Sequence, residues 1–155
     1  MRKMRRFKQL LPEEECRRIL KSAKRGVLAL LGDEDYPYAL PINFVYDGGK
    51  IYFHSAVEGH KIDSVNNHPK ASFCVLDKPI KEENEWWYNI KSVIAFGTMR
   101  IITDENLRIE KLELLGKKYF PSEDMVYEDI AKNASRASVL ELNIEHLSGK
   151  TVREK

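Results

Sequence analysis

The feature that most constrains the fold is a glycine-rich turn between two apolar segments. Asp47-Gly48-Gly49 separates residues 38–46 from residues 50–54, and such a turn between apolar segments is typical of a β-hairpin. Residues 27–31 form another short apolar segment before a turn-rich stretch, so the sequence predicts a three-stranded antiparallel meander. Pro41 lies inside its middle strand, where proline usually indicates an edge, a bulge or a functional site.

The other segments do not follow a regular β-α-β alternation. Helical spacing predicts one helix before the meander, a short one opened by residues 59–61 and two more between residues 104 and 133. Further strands are predicted at residues 70–76, 92–103 and 139–144, with Gly97 as a bulge or bend. A small closed barrel of six antiparallel strands, with helices packed outside, fits this order best.

Composition limits the possible classes of protein. The 155 residues are 43% hydrophobic and 32% charged, which suits one globular domain. The longest apolar runs are far shorter than the roughly 20 residues of a membrane-spanning helix, and no secretory signal pattern follows the N-terminus. We therefore expect a cytoplasmic protein without a membrane partner. The two cysteines and four histidines show no ligand spacing, so no metal site is expected.

The positive charge is concentrated near the N-terminus. Residues 1–25 contain ten Lys or Arg and three Glu. Arg2, Lys3, Arg5, Arg6 and Lys8 could bind nucleic acid or an anionic membrane surface. The adjacent glutamates at positions 13–15 favour a solvated tail over residues 1–8 and a solvated helix face instead. We expect no nucleic-acid partner.

Polar residues are densest at the predicted junction between the third strand and the short helix, His54-Ser55-Ala56-Val57-Glu58-Gly59-His60-Lys61. Free N–H groups at the start of a helix, the Ser55 hydroxyl and the Lys61 ammonium are groups that bind phosphate. Gly59 permits a close approach of the backbone. The alternative is an exposed turn with incidental polar residues. No P-loop or Rossmann motif is present in the sequence.

Five segments carry a resemblance to a known family: residues 26–30, 36–46, 51–63, 92–97 and 144–150. The most specific is the string His-Ser-Ala-x-x-Gly-His-Lys at residues 54–61. The chain resembles, from about residue 19 to residue 150, the flavin-binding split barrels related to pyridoxamine 5′-phosphate oxidase, specifically the 5-nitroimidazole-resistance branch. This resemblance implies a mainly β (β+α) fold, a six-stranded antiparallel split β-barrel with peripheral helices, as a single FMN-binding domain over residues 1–155.

The resemblance also implies an FMN bound where two subunits of a homodimer meet. The residues implied to hold its phosphate are Ser55, His60 and Lys61, beside Gly59. Those implied to lie along its ring are Pro41, Ile42 and Asn43, and those along its ribityl chain are His54, Ser55 and Ala56. Ser92 and Val93 would approach from a neighbouring strand. Asn43 can present both a donor and an acceptor to the heteroatoms of a flavin.

The function that the resemblance implies is an FMN-dependent oxidoreductase that reduces a nitroaromatic or similar small oxidised acceptor. His54 is the candidate catalytic residue, as a hydrogen-bond donor on the substrate side. The alternatives are a non-catalytic flavin-binding or sensing protein, a pyridoxamine 5′-phosphate oxidase and a haem-handling split barrel with His54 or His146 as ligand. Trp86-Trp87-Tyr88 could cover the flavin, anchor the dimer interface or pack in the core.

Overall fold

The structure, a computed structural model, describes residues 4–155. These residues form a seven-stranded antiparallel sheet and four α-helices. The strands are β1 (Arg25–Leu31), β2 (Pro37–Asn43), β3 (Val45–Asp47), β4 (Lys50–Ala56), β5 (Lys70–Leu76), β6 (Asn89–Ile101) and β7 (Ala137–Arg153). The helices are α1 (Glu13–Ser22), α2 (His60–Asn67), α3 (Glu105–Tyr119) and α4 (Glu123–Asn133).

The sheet curls into a split barrel because its two edge strands are consecutive in the chain. The strand order is β2-β1-β5-β6-β7-β4-β3, which places β2 and β3 at opposite edges. Only Phe44 separates these two strands, so the edges must meet at that residue. The predicted antiparallel barrel is confirmed, but the predicted strand over residues 38–46 is divided at Phe44, which gives seven strands rather than six. The predicted three-stranded meander is therefore two hairpins, β1–β2 and β3–β4, at opposite ends of the sheet.

Helix α3 holds the chain where the two edges meet. The Tyr119 hydroxyl accepts a hydrogen bond from the Phe44 N–H at 2.9 Å and lies within hydrogen-bonding distance of the carbonyls of Phe44 and Lys24. The Lys118 ammonium donates to the Phe44 carbonyl at 3.0 Å. Burial, with a smaller contribution from the charge of Lys24, lowers the pKa of Lys118 to about 8. The backbone polar groups of this buried bend are therefore satisfied by α3.

The barrel interior is filled by aromatic and aliphatic side chains. The Phe73 ring packs edge-on against those of Phe44 and Phe53, with centroids 4.7 and 5.1 Å apart. Burial of these rings provides much of the hydrophobic stabilisation of the fold. A second apolar cluster, which includes Tyr52 and Leu115, packs α3 against the outer face of the barrel.

Strands β6 and β7 form the longest pairing in the sheet. The register shifts between Phe96 and Gly97, which confirms the predicted bulge. A Cβ atom at Gly97 would lie 1.9 Å from the Asn143 carbonyl oxygen, so no larger residue fits at that contact. Strand β7 continues to Arg153, well beyond the predicted end at residue 144, because its C-terminal half pairs with the start of β6.

A buried carboxylate cross-links three strands on the outer face of the barrel. Glu141 on β7 is 2% exposed and accepts hydrogen bonds from Lys50 on β4 and Arg100 on β6, at 2.7–3.0 Å. Burial alone would raise the pKa of Glu141, but the hydrogen bonds from Arg100 and Lys50 outweigh burial and lower it. The ionised form is therefore the one that stabilises the fold.

The basic N-terminal tail is only partly described. Arg2 and Lys3 lie outside the described residues, whereas Arg5, Arg6 and Lys8 are exposed. None of the helices formed by residues 4–155 is both long and apolar enough to cross a membrane. Over the same range, no three His, Cys, Asp or Glu side chains are arranged to hold a metal ion.

Candidate functional site

A cleft of about 580 Å³ opens where β2 and β4 approach each other without pairing. Eight residues line it: Arg25, Pro41, Ile42, Asn43, His54, Ser55, Ala56 and Lys61. Seven of them are residues for which the sequence predicts cofactor binding. The structure thus brings together two sequence segments, residues 41–43 and residues 54–61, whose proximity follows only from closure of the barrel.

Strand pairing explains how the wall of β1 and β2 is built. Pro41 pairs with Val27 on an edge strand, where its missing N–H leaves no partner unsatisfied within the sheet. Asn43 pairs with Arg25 in the same register. The sequence analysis did not predict Arg25 as a site residue. The turn between β1 and β2 could have indicated it, because a hairpin centred on residue 34 places residue 25 opposite residue 43.

Two cations give the cleft a positive charge. Among residues 4–155, no carboxylate lies within ion-pair distance of the exposed Arg25 or the half-buried Lys61, whereas the half-buried Lys50 and Lys91 and the buried Lys111 each have such a partner. Burial removes water from around the Lys61 ammonium and lowers its pKa. An anion that bound here would balance this positive charge. The Ser55 hydroxyl, on a residue that is 7% exposed, lies in the same wall. This donor set is suited to a phosphate.

His54 lines the cleft together with Asn43, and part of its side chain is exposed to solvent. Partial burial lowers the pKa of its imidazole, the positive charge of Lys61 lowers it further and the Asp129 carboxylate opposes both effects. The combined effect favours the neutral imidazole, which can donate one hydrogen bond and accept another.

Two predicted residues of the α2 junction have structural contacts of their own. The His60 ring stacks on Tyr38 with centroids 4.1 Å apart, and its Nε2 accepts the Asp33 N–H at 3.3 Å. Gly59 adopts a φ of 118°, which favours glycine, and its carbonyl accepts hydrogen bonds from the N–H groups of Ile62 and Asp63 in the first turn of α2. His60 therefore faces the turn before β2, and neither residue lines the cleft.

The structure does not bring Ser92 and Val93 to the cleft within one subunit. Val93 is fully buried in the barrel core and does not line the cleft. Ser92 pairs with Leu76 and Lys150 in the middle of the sheet. Their predicted contact with a cofactor stays a prediction.

A second cavity, of about 480 Å³, adjoins the cleft and shares Asn43 and His54 with it. Its walls come from α3, α4 and the start of β7, and most are apolar: Leu112, Leu115, Tyr119, Phe120, Val126, Ile130, Ala134 and Ala137. Asp129 and Asn133 add polar groups. The sequence gives no indication of this cavity, because helical periodicity does not show that two helices leave a space between them.

The aromatic segment Trp86-Trp87-Tyr88 lies in the loop between β5 and β6. Trp86 is 71% exposed and packs edge-on against Trp87. The Lys155 ammonium lies 4.3 Å from the centroid of the Trp87 ring, a distance typical of a cation–π contact. None of the three aromatic residues lines the cleft or the adjoining cavity.

Comparison with known sequences gives one family and one curated relative. The model of the family described as pyridoxamine 5′-phosphate oxidase matches residues 12–151. An uncharacterized protein of Rhizobium meliloti (strain 1021) is 30% identical over 91 residues, which are 59% of this chain and 55% of that protein. The alignment thus spans about half the length of the curated relative.

Comparison with solved structures shows the same fold in proteins of low sequence identity. A proposed 5-nitroimidazole antibiotic resistance protein from Bacteroides thetaiotaomicron has a TM-score of 0.76 and 18% identity, and the match covers 93% of this chain and 87% of that one. An FAD binding protein from Mycobacterium smegmatis has a TM-score of 0.65 and 20% identity, with 94% and 98% covered. The split barrel is therefore a shared architecture.

Proposed function

The chain belongs to the pyridoxamine 5′-phosphate oxidase family, and we propose that it is an FMN-dependent oxidoreductase that reduces a small oxidised acceptor such as a nitroaromatic compound. The observation that carries this proposal is the pair of cations, Arg25 and Lys61, without carboxylate partners in a cleft edged by Pro41. The names of the two structural neighbours, one an FAD binding protein and the other linked to 5-nitroimidazole resistance, support it.

The cleft residues fit FMN by their chemistry. A phosphate monoester carries between one and two negative charges at neutral pH, which Arg25 and Lys61 would balance. The Ser55 hydroxyl would add a neutral hydrogen bond. Residues 41–43 would lie along the ring, where Pro41 offers a flat apolar surface and Asn43 both a donor and an acceptor. When bound, a flavin supplies the electron or hydride transfer.

The chain's own contribution to the reaction is orientation and hydrogen bonding. His54 lies on the wall that the cleft shares with the adjoining cavity. Its neutral imidazole would donate a hydrogen bond to an acceptor oxygen beside the cofactor. Asn43, on the same wall, would fix the edge of the ring. Neither role requires the protein to form a covalent intermediate.

A homodimer with FMN at the subunit interface belongs to the same proposal. The cleft is open to solvent in one subunit, and apolar side chains are exposed on the strands beside it. Val27 on β1 is 42% exposed and Leu76 on β5 is 65% exposed. Exposed apolar side chains on neighbouring strands are typical of a surface that a partner covers. Light scattering after gel filtration would measure the mass, and a monomer that binds FMN fully would refute this part.

The test has a binding stage and a reaction stage. FMN, FAD and riboflavin are titrated into the purified apoprotein and followed by flavin fluorescence, with FMN expected to bind most tightly and once per subunit. The FMN-loaded protein is then reduced photochemically without oxygen and mixed with 4-nitrobenzyl alcohol. Reoxidation is followed by the flavin's visible absorbance, and free reduced FMN is the control.

Each outcome decides one part of the proposal. Reoxidation faster than that of free reduced FMN would support an oxidoreductase. Tight binding without accelerated reoxidation would show a non-catalytic flavin-binding protein, and tighter binding of FAD would replace FMN as the cofactor. No flavin binding, or a Soret band in the purified protein, would overturn the proposal.

A further inference from the structure

We propose that the cavity between α3 and α4 binds the acceptor, and that Asp129 makes it favour cationic and neutral molecules over anionic ones. The inference rests on the proposed function, because it assigns the substrate side of the same site. The cavity volume of about 480 Å³ lies within the range of small-molecule pockets, on the order of 300–1,000 Å³.

The position of the cavity connects it to the proposed cofactor cleft. Asn43 and His54 are the two residues that line both spaces. A molecule in the cavity would therefore contact the same imidazole and amide as a ring in the cleft. Three further surface pockets share no lining residue with the cleft.

The lining indicates the class of molecule. One side is formed by Leu112 and Leu115 of α3, and the other by Val126 and Ile130 of α4. The Tyr119 and Phe120 rings add aromatic surface. Such walls favour a flat apolar body of about one aromatic ring with a few polar substituents.

The cavity and the cleft differ in the charge of the side chains that line them. Asp129 projects from α4, and its Oδ1 accepts a hydrogen bond from the Asn133 amide at 2.7 Å. Among the described residues, no cation lies within ion-pair distance of this carboxylate. The positive charges of Arg25 and Lys61 line the cleft and not the cavity. Thus an anionic group is attracted to the cleft, whereas the cavity repels it.

A matched series of probes tests the charge preference without turnover. The oxidised, FMN-loaded protein is titrated with 4-nitrobenzylamine, 4-nitrobenzyl alcohol and 4-nitrobenzoate, which differ mainly in charge. Perturbation of the flavin's visible spectrum gives each dissociation constant. We expect the amine to bind most tightly and the benzoate most weakly.

Three variants test whether the probes bind in this cavity and whether Asp129 causes the charge preference. Asp129→Asn should weaken binding of the amine about fivefold and leave the alcohol unchanged. Glu128→Gln removes a neighbouring carboxylate that does not line the cavity, and should change nothing. Ile130→Trp should fill the cavity and weaken all three probes about tenfold, while the dissociation constant of FMN stays the same.

Unchanged probe affinities in Ile130→Trp, with FMN still bound, would overturn the inference and leave the proposed function standing. An equal loss of all three probes in Asp129→Asn would refute the charge preference. Failure of the wild-type protein to bind FMN would instead refute the proposed function, so the two failures are distinguishable.

Discussion

Replacement of Lys61 by methionine should weaken FMN binding by about 1.5–3 kcal/mol, the range for a hydrogen bond to a charged group. This corresponds to an increase in the dissociation constant of roughly 10- to 150-fold. The structure supports the full range because Lys61 is half-buried and has no carboxylate partner within residues 4–155. No intramolecular ion pair is lost in the variant, and methionine retains most of the apolar stem.

Riboflavin provides the decisive comparison, since it lacks the phosphate. Its affinity should be the same in the wild-type protein and in Lys61→Met, so the ratio of the two dissociation constants isolates the phosphate contact. Lys21→Met is the matched control, because Lys21 is an exposed lysine on α1 that does not line the cleft. Both titrations are followed by flavin fluorescence, with circular dichroism to verify folding.

Two results would refute this reasoning. An unchanged FMN affinity in Lys61→Met would place the phosphate elsewhere. An equal loss of FMN and riboflavin affinity would show that Lys61 supports the shape of the cleft rather than a phosphate.

FMN affinity should fall as pH rises through the lowered pKa of Lys61, while riboflavin affinity stays constant; calorimetric titration at several pH values would measure this. Glu141→Gln should reduce the free energy of unfolding by about 1–3 kcal/mol at pH 7. The difference should shrink as pH falls below about 4, because the lowered pKa of Glu141 stabilises the fold only when the carboxylate is ionised. Urea unfolding would detect both effects. Gly116→Ala should reduce the free energy of unfolding by about 1–3 kcal/mol, because the new Cβ would lie 2.5 Å from Val126 Cγ1. The double variant Gly116→Ala, Val126→Ala should lose less stability than the sum of the losses in the two single variants.

Local sequence patterns predicted most elements because they depend on short-range chemistry. Asp47-Gly48-Gly49 indicates a hairpin through adjacent glycines with positive φ, and the structure has φ values of 55° and 83° at Gly48 and Gly49. Aspartate is a residue type that caps helices, and the side chain of Asp104, just before α3, accepts the Leu107 N–H at 2.8 Å. Both features are decided within a few residues of chain.

Two differences between the predicted and observed strands have long-range causes. The division at Phe44 depends on Tyr119, 75 residues later in the chain, which binds the backbone of the bend. The extension of β7 to Arg153 depends on β6, because its polar C-terminal half becomes a strand only through pairing. Neither cause is visible in the local hydrophobic pattern.

The candidate site likewise contains residues that the sequence indicated and residues that only the three-dimensional structure brings to it. Pro41, Asn43, Ser55 and Lys61 come from segments that resemble the family, and the structure places them in one cleft. Arg25 belongs to that cleft only through the register of β1 and β2. The cavity near Asp129 depends on how two helices pack against the barrel, which apolar spacing alone does not determine.

A crystal structure of the protein with FMN tests the central claim most directly. We expect the phosphate within hydrogen-bonding distance of Lys61 and Arg25, with the ring along residues 41–43. An FMN that lies outside the cleft, or whose phosphate contacts neither cation, would contradict it.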